Sequence, residues 1–241
     1  NRAGTSRTTS SGTATHRASS SAGSGGRAIT ASIRLDTPVS LAATLWQASA
    51  LAAERTLAHG FVRGLGDGSL PIDAFKCYVA QDAYFLDAFA RAYAFCLAHS
   101  TTREDLSDFA DLIAGVRDEL ELHASYAGRW QVDLTAVTPI AATQAYVDFL
   151  LEIARRGDLG ATIAAMTPCM RLYAFLGLSL SAGKVAPLYA EWVTTYADPG
   201  FEALAARLEA LLDRHATDSA AVRANYARAM ELEYGFFDAN L

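Results

Sequence analysis

Several residue types that mark common classes of protein are scarce in this chain of 241 residues. Only three cysteines occur, Cys77, Cys96 and Cys169, and their spacing fits no metal-binding motif. Because an odd number leaves one cysteine unpaired in any disulfide scheme, the sequence predicts a reducing compartment. The glycine-rich stretch 60–68 follows a helical pattern and has no P-loop lysine, and serine-hydrolase signatures are absent. The sequence thus argues against a nucleotide-binding loop, a disulfide framework and a serine hydrolase.

Basic residues are scarce outside the start of the chain. The first 35 residues hold five arginines and no acid, which leaves 15 basic and 26 acidic side chains, a net charge of −11, on the other residues. An acidic body without a basic patch argues against a nucleic-acid partner. The longest uncharged apolar runs, one on each side of Arg171, have 12 residues. A membrane span needs about 18, so we expect a soluble protein without a membrane partner.

Large apolar side chains are nearly absent from the first 36 residues. Of the first 35 residues, 19 are Ser, Thr or Gly, with arginines between them. Such a segment cannot bury enough surface to offset its ordering entropy, so the sequence predicts disorder over 1–36. Its Ser- and Arg-rich, acid-free composition is typical of an organelle transit segment, and a plain disordered tail is the alternative. We therefore expect an intracellular protein, in a plastid or mitochondrion if 1–36 is a transit segment and otherwise cytoplasmic.

Helical periodicity runs through residues 37–241, which are long and apolar enough to bury one core. No alternating strand pattern and no repeat of 20 to 50 residues is found, so the predicted fold class is all-α. A loop is predicted over 60–68, and the helix from Asp158 to Gly183, with Arg171 as its only internal charge, is predicted to be central and kinked at Pro168. Helix starts are predicted at Thr37-Pro38, Pro71, Thr101 or Thr102, Pro139, Asp158, Pro187, Asp198-Pro199 and Ser219.

Two acids lie on apolar stripes of predicted helices, Asp82 in the second helix and Glu233 in the last. Burying an acid is costly unless it is hydrogen-bonded. Asp82 could accept a bond from a tyrosine or a neighbouring arginine for structural reasons, or it could hold a ligand in an aromatic pocket. The residue type of Cys169 likewise allows two interpretations. It could be a small residue of the core, or it could be a nucleophile beside a helix kink, with Tyr173 on the same helix face.

The histidines give little sign of a metal or a catalytic role. Glu119, Glu121 and His123 cluster late in the third helix, but a di-iron bundle needs two Glu-x-x-His pairs and none occurs. The cluster is interpreted as a solvated face or a structural hydrogen-bonding group. No histidines along the chain have metal-ligand spacing, so the sequence predicts neither a metal site nor histidine-based catalysis.

Four short motifs follow one another along the chain: Gln81-Asp82-x-Tyr84-x-Leu86, Pro168-Cys169-x-x-Leu172-Tyr173, Trp192-x-x-x-Tyr196 and Glu233-Tyr234-x-Phe236. In this order and spacing, over about residues 38 to 240, the chain resembles the TenA (thiaminase II) family. The resemblance implies a haem-oxygenase-like helical bundle, usually a homotetramer, that acts on thiamin-derived aminopyrimidines. The family replaces an amine, or the thiazole of thiamin, on the 5-methylene of 4-amino-2-methylpyrimidine with hydroxide, and needs no metal or organic cofactor.

The resemblance also implies roles for individual residues. Cys169 matches the nucleophile, Asp82 the acid that binds the aminopyrimidine edge, and Glu233 the acid that handles protons. Phe85 falls where many members have tyrosine, which preserves stacking on the ring but loses a hydroxyl contact. Cys169 places the chain outside the branch in which other acids replace the cysteine. The tyrosines that line the pocket and orient these groups correspond to Tyr146, Tyr173 and Tyr196.

The residue chemistry is compatible with that reaction. A thiolate can add to an electron-poor pyrimidine, after which the ring electrons expel the amine and water takes its place. The alternatives are a non-catalytic pyrimidine-binding or regulatory module, and a haem or quinone-cofactor enzyme on the same fold, for which His59 is the one candidate iron ligand near the N-terminus. A further alternative is a TenA-like portion of a bifunctional thiamin-salvage protein fused to a phosphatase.

Overall fold

The computed structural model describes residues 39–241, and all regular structure in this range is helical. The α-helices are α1 (Leu41–Ala48), α2 (Ala50–Leu57), α3 (Gly60–Asp67), α4 (Ile72–His99), α5 (Arg103–Trp130), α6 (Ala141–Arg155), α7 (Leu159–Ser181), α8 (Ala190–Tyr196), α9 (Pro199–His215) and α10 (Ala220–Ala239). A 3₁₀ turn over Pro187–Tyr189 precedes α8. The predicted all-α class is confirmed.

Most helix starts follow from capping side chains. The side chain of Thr102 accepts the Asp105 N–H, and those of Asp158, Asp198 and Ser219 cap α7, α9 and α10 in the same way. These four predicted starts are confirmed. The start predicted at Thr37-Pro38 lies outside the described residues, as do the boundary at residue 36 and the disordered or transit segment.

The loop predicted over 60–68 is wrong for most of its length. The segment forms α3, which ends only at Gly68, a residue with a left-handed φ of 82°. A Cβ at Gly64 would lie 2.7 Å from the backbone nitrogen of Leu70, so glycine here permits a close approach of two chain segments. Burial of apolar side chains outweighs the weak helix propensity of glycine; those side chains are Phe61, Val62 and Leu65.

Helix α7 is central, as predicted. It packs mainly against α10 and α9, and also against α8, α6 and α4. By length and composition it could cross a membrane, but 72% of its most apolar stretch is buried inside the protein. Its one charge, Arg171, binds both Glu202 and Glu209 of α9, with Nη2 of Arg171 2.6 Å from Oε2 of Glu209. Pro168 lies within the helix, and a bend there stays a prediction.

Candidate active site

The sequence-predicted site residues come from five helices and meet around one buried region. Asp82 and Phe85 lie on α4, Tyr146 lies on α6 and Cys169 lies on α7. The Tyr146 hydroxyl donates to Oε1 of Glu233 at 2.6 Å, and the Phe85 and Tyr146 ring centroids are 4.5 Å apart. The remaining members are Tyr173 on α7, Tyr196 on α8 and Glu233 on α10.

Cys169 lies at the edge of the packed core rather than within it. Its side chain is only half-buried, whereas Ala165 and Tyr173, one turn away on the same helix face, are 1% and 4% exposed. Its thiol lies close enough to the Glu233 carboxyl for each group to shift the pKa of the other. Burial, followed by the negative charge of Glu233, raises the pKa of Cys169 well above that of an ordinary cysteine. The resting protein therefore holds a neutral thiol here, poised next to a group that can accept its proton.

Glu233 is a buried carboxyl with two donors. Its side chain is 2% exposed. Burial raises its pKa, hydrogen bonds from Tyr146 and Cys169 lower it, and the net result is a pKa of about 8. A carboxyl that titrates near the working pH is suited to proton transfer.

Asp82 has a partner that the sequence interpretation missed. Its Oδ2 is 2.9 Å from Nε2 of His123, whose Nδ1 is 2.9 Å from the backbone carbonyl of Glu119. A carbonyl can only accept, so Nδ1 carries a proton, and the contact between Nε2 and the carboxylate needs a second one. Burial lowers the pKa of His123, but Asp82 outweighs it and raises the pKa. The contact thus holds the buried imidazole against a buried acidic side chain that favours its protonated form.

Two interpretations of these residues are corrected. Asp82 binds neither a tyrosine nor an arginine but a histidine. His123 is fully buried, so the interpretation as a solvated face is wrong, whereas the alternative of a structural hydrogen-bonding group agrees with its bonds to Asp82 and to the Glu119 carbonyl. The sequence did hold a signal, because positions 119 and 123 continue a regular stripe along α5 at intervals of three and four residues. The buried members of that stripe are Phe109, Leu112, Val116, His123 and Tyr126.

Glu119 is the second site residue that the sequence interpretation missed. Its Oε1 accepts a hydrogen bond from the Tyr196 hydroxyl at 2.5 Å. Burial, then the charge of Asp82, raises its pKa, His123 and the Tyr196 bond lower it, and the result is a pKa of about 7. Three acidic residues thus surround the site, and only Asp82 is paired with a cation within the described part of the chain.

A layer of aromatic side chains joins Glu119 to the rest of the site. The rings of Tyr173 and Tyr196 meet edge to face with centroids 4.8 Å apart. Tyr78, which is not among the predicted site residues, donates to the Tyr173 hydroxyl at 3.2 Å and accepts from Nε1 of Trp192 at 3.2 Å. The layer is held close to α7 because residue 177 is glycine: a Cβ there would lie 2.4 Å from the carbonyl carbon of Tyr196.

The described residues offer little to a metal or haem. Within 39–241 no three His, Cys, Asp or Glu side chains are grouped to hold a metal ion. His59, the candidate iron ligand, uses Nδ1 to accept the Phe61 N–H at the start of α3, and its Nε2 lies 3.4 Å from Asp238. That histidine therefore serves as a helix cap.

Comparison with known proteins gives a consistent result. The profile of the TENA/THI-4/PQQC family matches residues 46–241. An aminopyrimidine aminohydrolase from Halalkalibacterium halodurans is 33% identical over 212 residues, which cover 83% of this chain and 95% of that protein. The mitochondrial bifunctional TH2 protein of Arabidopsis thaliana is 33% identical over 203 residues, 73% of this chain, and the match spans 33% of its own length.

Solved structures agree on the architecture. A protein from Silicibacter sp. TM1040, described as a TenA family transcription regulator, superposes with a TM-score of 0.77 at 29% identity, covering 84% of this chain and 97% of that one. A TenA homologue from Pyrococcus furiosus, 20% identical, superposes with a TM-score of 0.75 over 82% of this chain and 98% of that one. The predicted haem-oxygenase-like helical bundle is confirmed by these neighbours. Together with the family profile and the relative at 33% identity, they establish that the chain belongs to the TENA/THI-4/PQQC family.

Proposed function

We propose that this protein is an aminopyrimidine aminohydrolase of the thiaminase II type that acts in thiamin salvage. It hydrolyses 4-amino-5-aminomethyl-2-methylpyrimidine, with thiamin as a second substrate, to 4-amino-5-hydroxymethyl-2-methylpyrimidine. The hydrolase class is supported by the relatives named aminopyrimidine aminohydrolase. The single observation that carries the mechanism is that the Cys169 thiol lies close enough to the buried carboxyl of Glu233 for each group to shift the pKa of the other, while Tyr146 binds that carboxyl.

The reaction begins when Glu233 takes the Cys169 proton and the sulfur adds to a ring carbon of the pyrimidine. The amine, which binds as an ammonium, first gives one proton to solvent. The ring loses aromaticity, and its electrons break the bond between the exocyclic methylene and the neutral amine, which leaves as ammonia with a proton from Glu233. Water then adds to the methylene and gives its proton to the Glu233 carboxylate. The sulfur departs with its bonding electrons, the ring recovers aromaticity, and the thiolate regains the proton. The sum is substrate plus water to product plus ammonia.

Asp82 and the aromatic residues hold the ring during these steps. Oδ2 of Asp82 is occupied by His123, so Oδ1 is the oxygen that accepts bonds from the exocyclic amine and the protonated ring nitrogen. A protonated ring is a better electrophile, which favours addition of the thiolate. Phe85 supplies only a ring face, and the hydroxyls that orient the substrate come from Tyr146, Tyr173 and Tyr196.

The test is incubation with the aminomethylpyrimidine and with thiamin, measuring ammonia, thiazole and hydroxymethylpyrimidine. Cys169→Ser removes the nucleophile, so we expect ammonia release to fall below detection while product binding changes little. Cys77→Ser is the control, because Cys77 is exposed and takes part in none of the contacts described above. Unchanged turnover in Cys169→Ser would remove the nucleophile from the mechanism.

A second candidate is a non-catalytic pyrimidine-binding or regulatory module. It is favoured by the description of the Silicibacter neighbour as a transcription regulator. Such a module would bind the hydroxymethylpyrimidine but release no ammonia from any aminopyrimidine. The same incubation, combined with a binding measurement, therefore separates the two candidates.

Assembly and location complete the proposal. We infer a homotetramer from the family resemblance, to be checked by light scattering of the purified protein. We place the protein inside the cell, in a mitochondrion or plastid if residues 1–36 direct it there; the Arabidopsis relative is named mitochondrial. A fluorescent protein carrying residues 1–36 tests the location. The mass of the native polypeptide tests the alternative that this domain is fused to a phosphatase.

A further inference from the structure

The residues assigned above leave Glu119 without a role in the reaction, yet its carboxyl lies between two spaces. On one side, Oε1 accepts the Tyr196 hydroxyl and so contacts the aromatic layer of the site. On the other side, Glu119 lines a cavity of about 830 Å³. This volume is within the range of small-molecule sites, about 300–1,000 Å³.

The cavity lies between α5, α8 and the start of α9. Its walls are largely apolar and include Leu112, Val116, Phe201 and Leu204. It does not reach Cys169, Asp82 or Glu233 directly, but Met170, the residue after Cys169 in α7, forms part of its lining. The cavity therefore approaches the site at two points, the Glu119 carboxyl and the Met170 side chain.

The charged groups that line this cavity are all acidic. Three of the acids, Asp111, Asp118 and Glu191, pair with arginines. Asp198 caps α9 through the Gly200 N–H, which leaves Glu119 as the acid nearest the site. The lining acids are Asp111, Asp118, Glu119, Glu191 and Asp198.

We propose that this cavity is the entrance for cationic substrates, and that Glu119 is a positioning residue that binds their positive group and holds Tyr196 against the site. The proposal rests on the function proposed above and deepens it. The aminomethylpyrimidine carries an ammonium group and thiamin a thiazolium, and each matches an apolar cavity lined by acids. The hydroxymethyl product is neutral and lacks this attraction.

A cation bound at Glu119 would also favour ionisation of the Cys169 thiol. The negative charge of Glu119 is one of the groups that raise the pKa of Cys169, after burial and Glu233. A cation bound at Glu119 offsets that charge and makes loss of the thiol proton easier. Arrival of a cationic substrate and formation of the thiolate are thereby coupled.

Several titratable groups face Glu119 from the elements around it. On the site side they are Asp82 of α4, His123 of α5 and Tyr196 of α8, and on the cavity side they are Asp118, Glu191 and Asp198. Because Glu119 titrates at about 7, affinity for a cation should rise as the pH increases through 7 and Glu119 ionises. Replacing Glu119 by glutamine should abolish this rise of affinity with pH.

The test measures binding in the full-length Cys169→Ser protein, so that substrate is not consumed, with and without Glu119→Gln. Glutamine keeps an oxygen that can accept from Tyr196 but removes the charge. We expect affinity for the aminomethylpyrimidine to fall about 10- to 100-fold and affinity for the hydroxymethyl product to change less than about threefold. Asp118→Asn is the matched control: it lines the same cavity on the same helix but pairs with Arg117, and we expect little change for either ligand.

Equal losses for the two ligands, or no loss for either, would overturn the proposal. If the wild-type protein turned over no aminopyrimidine, the proposed function would fail, but the comparison of charged and neutral ligand would still decide this point. A second variant guards against misfolding of Glu119→Gln. Thr194→Trp fills the cavity from its exposed wall and should slow association of the cation at least about fivefold, whereas Thr194→Ala should not; equal rates in the two would also overturn the proposal.

Discussion

Single residues in this protein take their chemistry from their surroundings rather than from their type. Glu233 and Asp82 are both buried acids on aromatic stripes. Glu233 meets only neutral donors, and burial keeps its pKa high. Asp82 meets the imidazole of His123 instead. The first group is therefore suited to move a proton and the second to hold a charge.

For Glu233 we expect activity to follow its ionisation. The carboxylate is the form that accepts the Cys169 proton, so kcat/KM of the wild-type enzyme should rise as the pH increases through about 8. Glu233→Gln should lower kcat about 10²- to 10⁴-fold and remove this step. Glu231→Gln is the control, because Glu231 is exposed and pairs with Arg228 on the opposite face of α10. A pH profile of unchanged shape in Glu233→Gln would contradict the assignment.

For the Asp82–His123 pair we expect the pKa of the imidazole to depend on Asp82. The carboxylate offsets the burial that would otherwise lower the pKa of His123. Asp82→Asn removes that charge, so the His123 ring should lose its proton at a lower pH than in the wild type. The measurement is an NMR titration of the imidazole nitrogens. The same His123 pKa in the wild type and in Asp82→Asn would mean that Asp82 does not stabilise the protonated imidazole.

At the scale of elements, the site depends on how closely the helices approach. Gly177 of α7 contacts the backbone of α8, and this contact sets the position of Tyr196. Hydrophobic periodicity predicted most of the helices, but not α3. The distance between two helices depends on the size of the residues where they cross. A glycine at such a crossing cannot be told from a loop glycine by the sequence alone. The same ambiguity explains the error over 60–68, where glycines serve packing.

We expect Gly177→Ala to displace α8 from α7. The added Cβ would lie 2.4 Å from the carbonyl carbon of Tyr196, and overpacking of this kind typically lowers the free energy of unfolding by about 1–3 kcal/mol. Activity should fall as well, because Tyr196 leaves Glu119. Gly128→Ala in α5 is the matched control: nothing lies within 4 Å of its Cβ, so alanine should stabilise the helix by about 0.5–1 kcal/mol. Urea denaturation of both variants tests this; a stable Gly177→Ala protein would contradict it.

At the scale of the whole molecule, buried acids make stability depend on pH. The pKa values of Glu119 and Glu233 are raised from 4.5 to about 7 and about 8. Between these values the unfolded chain releases protons that the folded one retains, so stability falls as the pH rises from 4.5 towards 8 and levels off above that. Asp105 acts in the opposite sense: burial raises its pKa, but bonds from Thr102, His215 and Arg214 bring it to about 2, so its stabilisation is present above pH 3.8 and is lost as the pH falls through 2.

We expect the double variant Glu119→Gln, Glu233→Gln to show a flatter stability profile. Its free energy of unfolding should change less between pH 5 and 8 than that of the wild type, because the two groups that keep their protons to a higher pH in the folded chain than in the unfolded one are gone. Urea denaturation at half-unit pH steps gives the two curves. Parallel curves would show that neither carboxyl is held protonated in the folded protein.

The sequence by itself determined the helical class, most helix boundaries and the candidates Cys169, Asp82 and Glu233. Periodicity and capping are local, and an acid or thiol within an apolar stripe is visible without coordinates. Only the tertiary structure decided that Asp82 binds His123, that Glu119 faces both the aromatic layer and a cavity, and that α3 is a helix. These outcomes depend on contacts between residues distant in the chain, 41 positions apart for Asp82 and His123 and 77 for Glu119 and Tyr196, which no local pattern records.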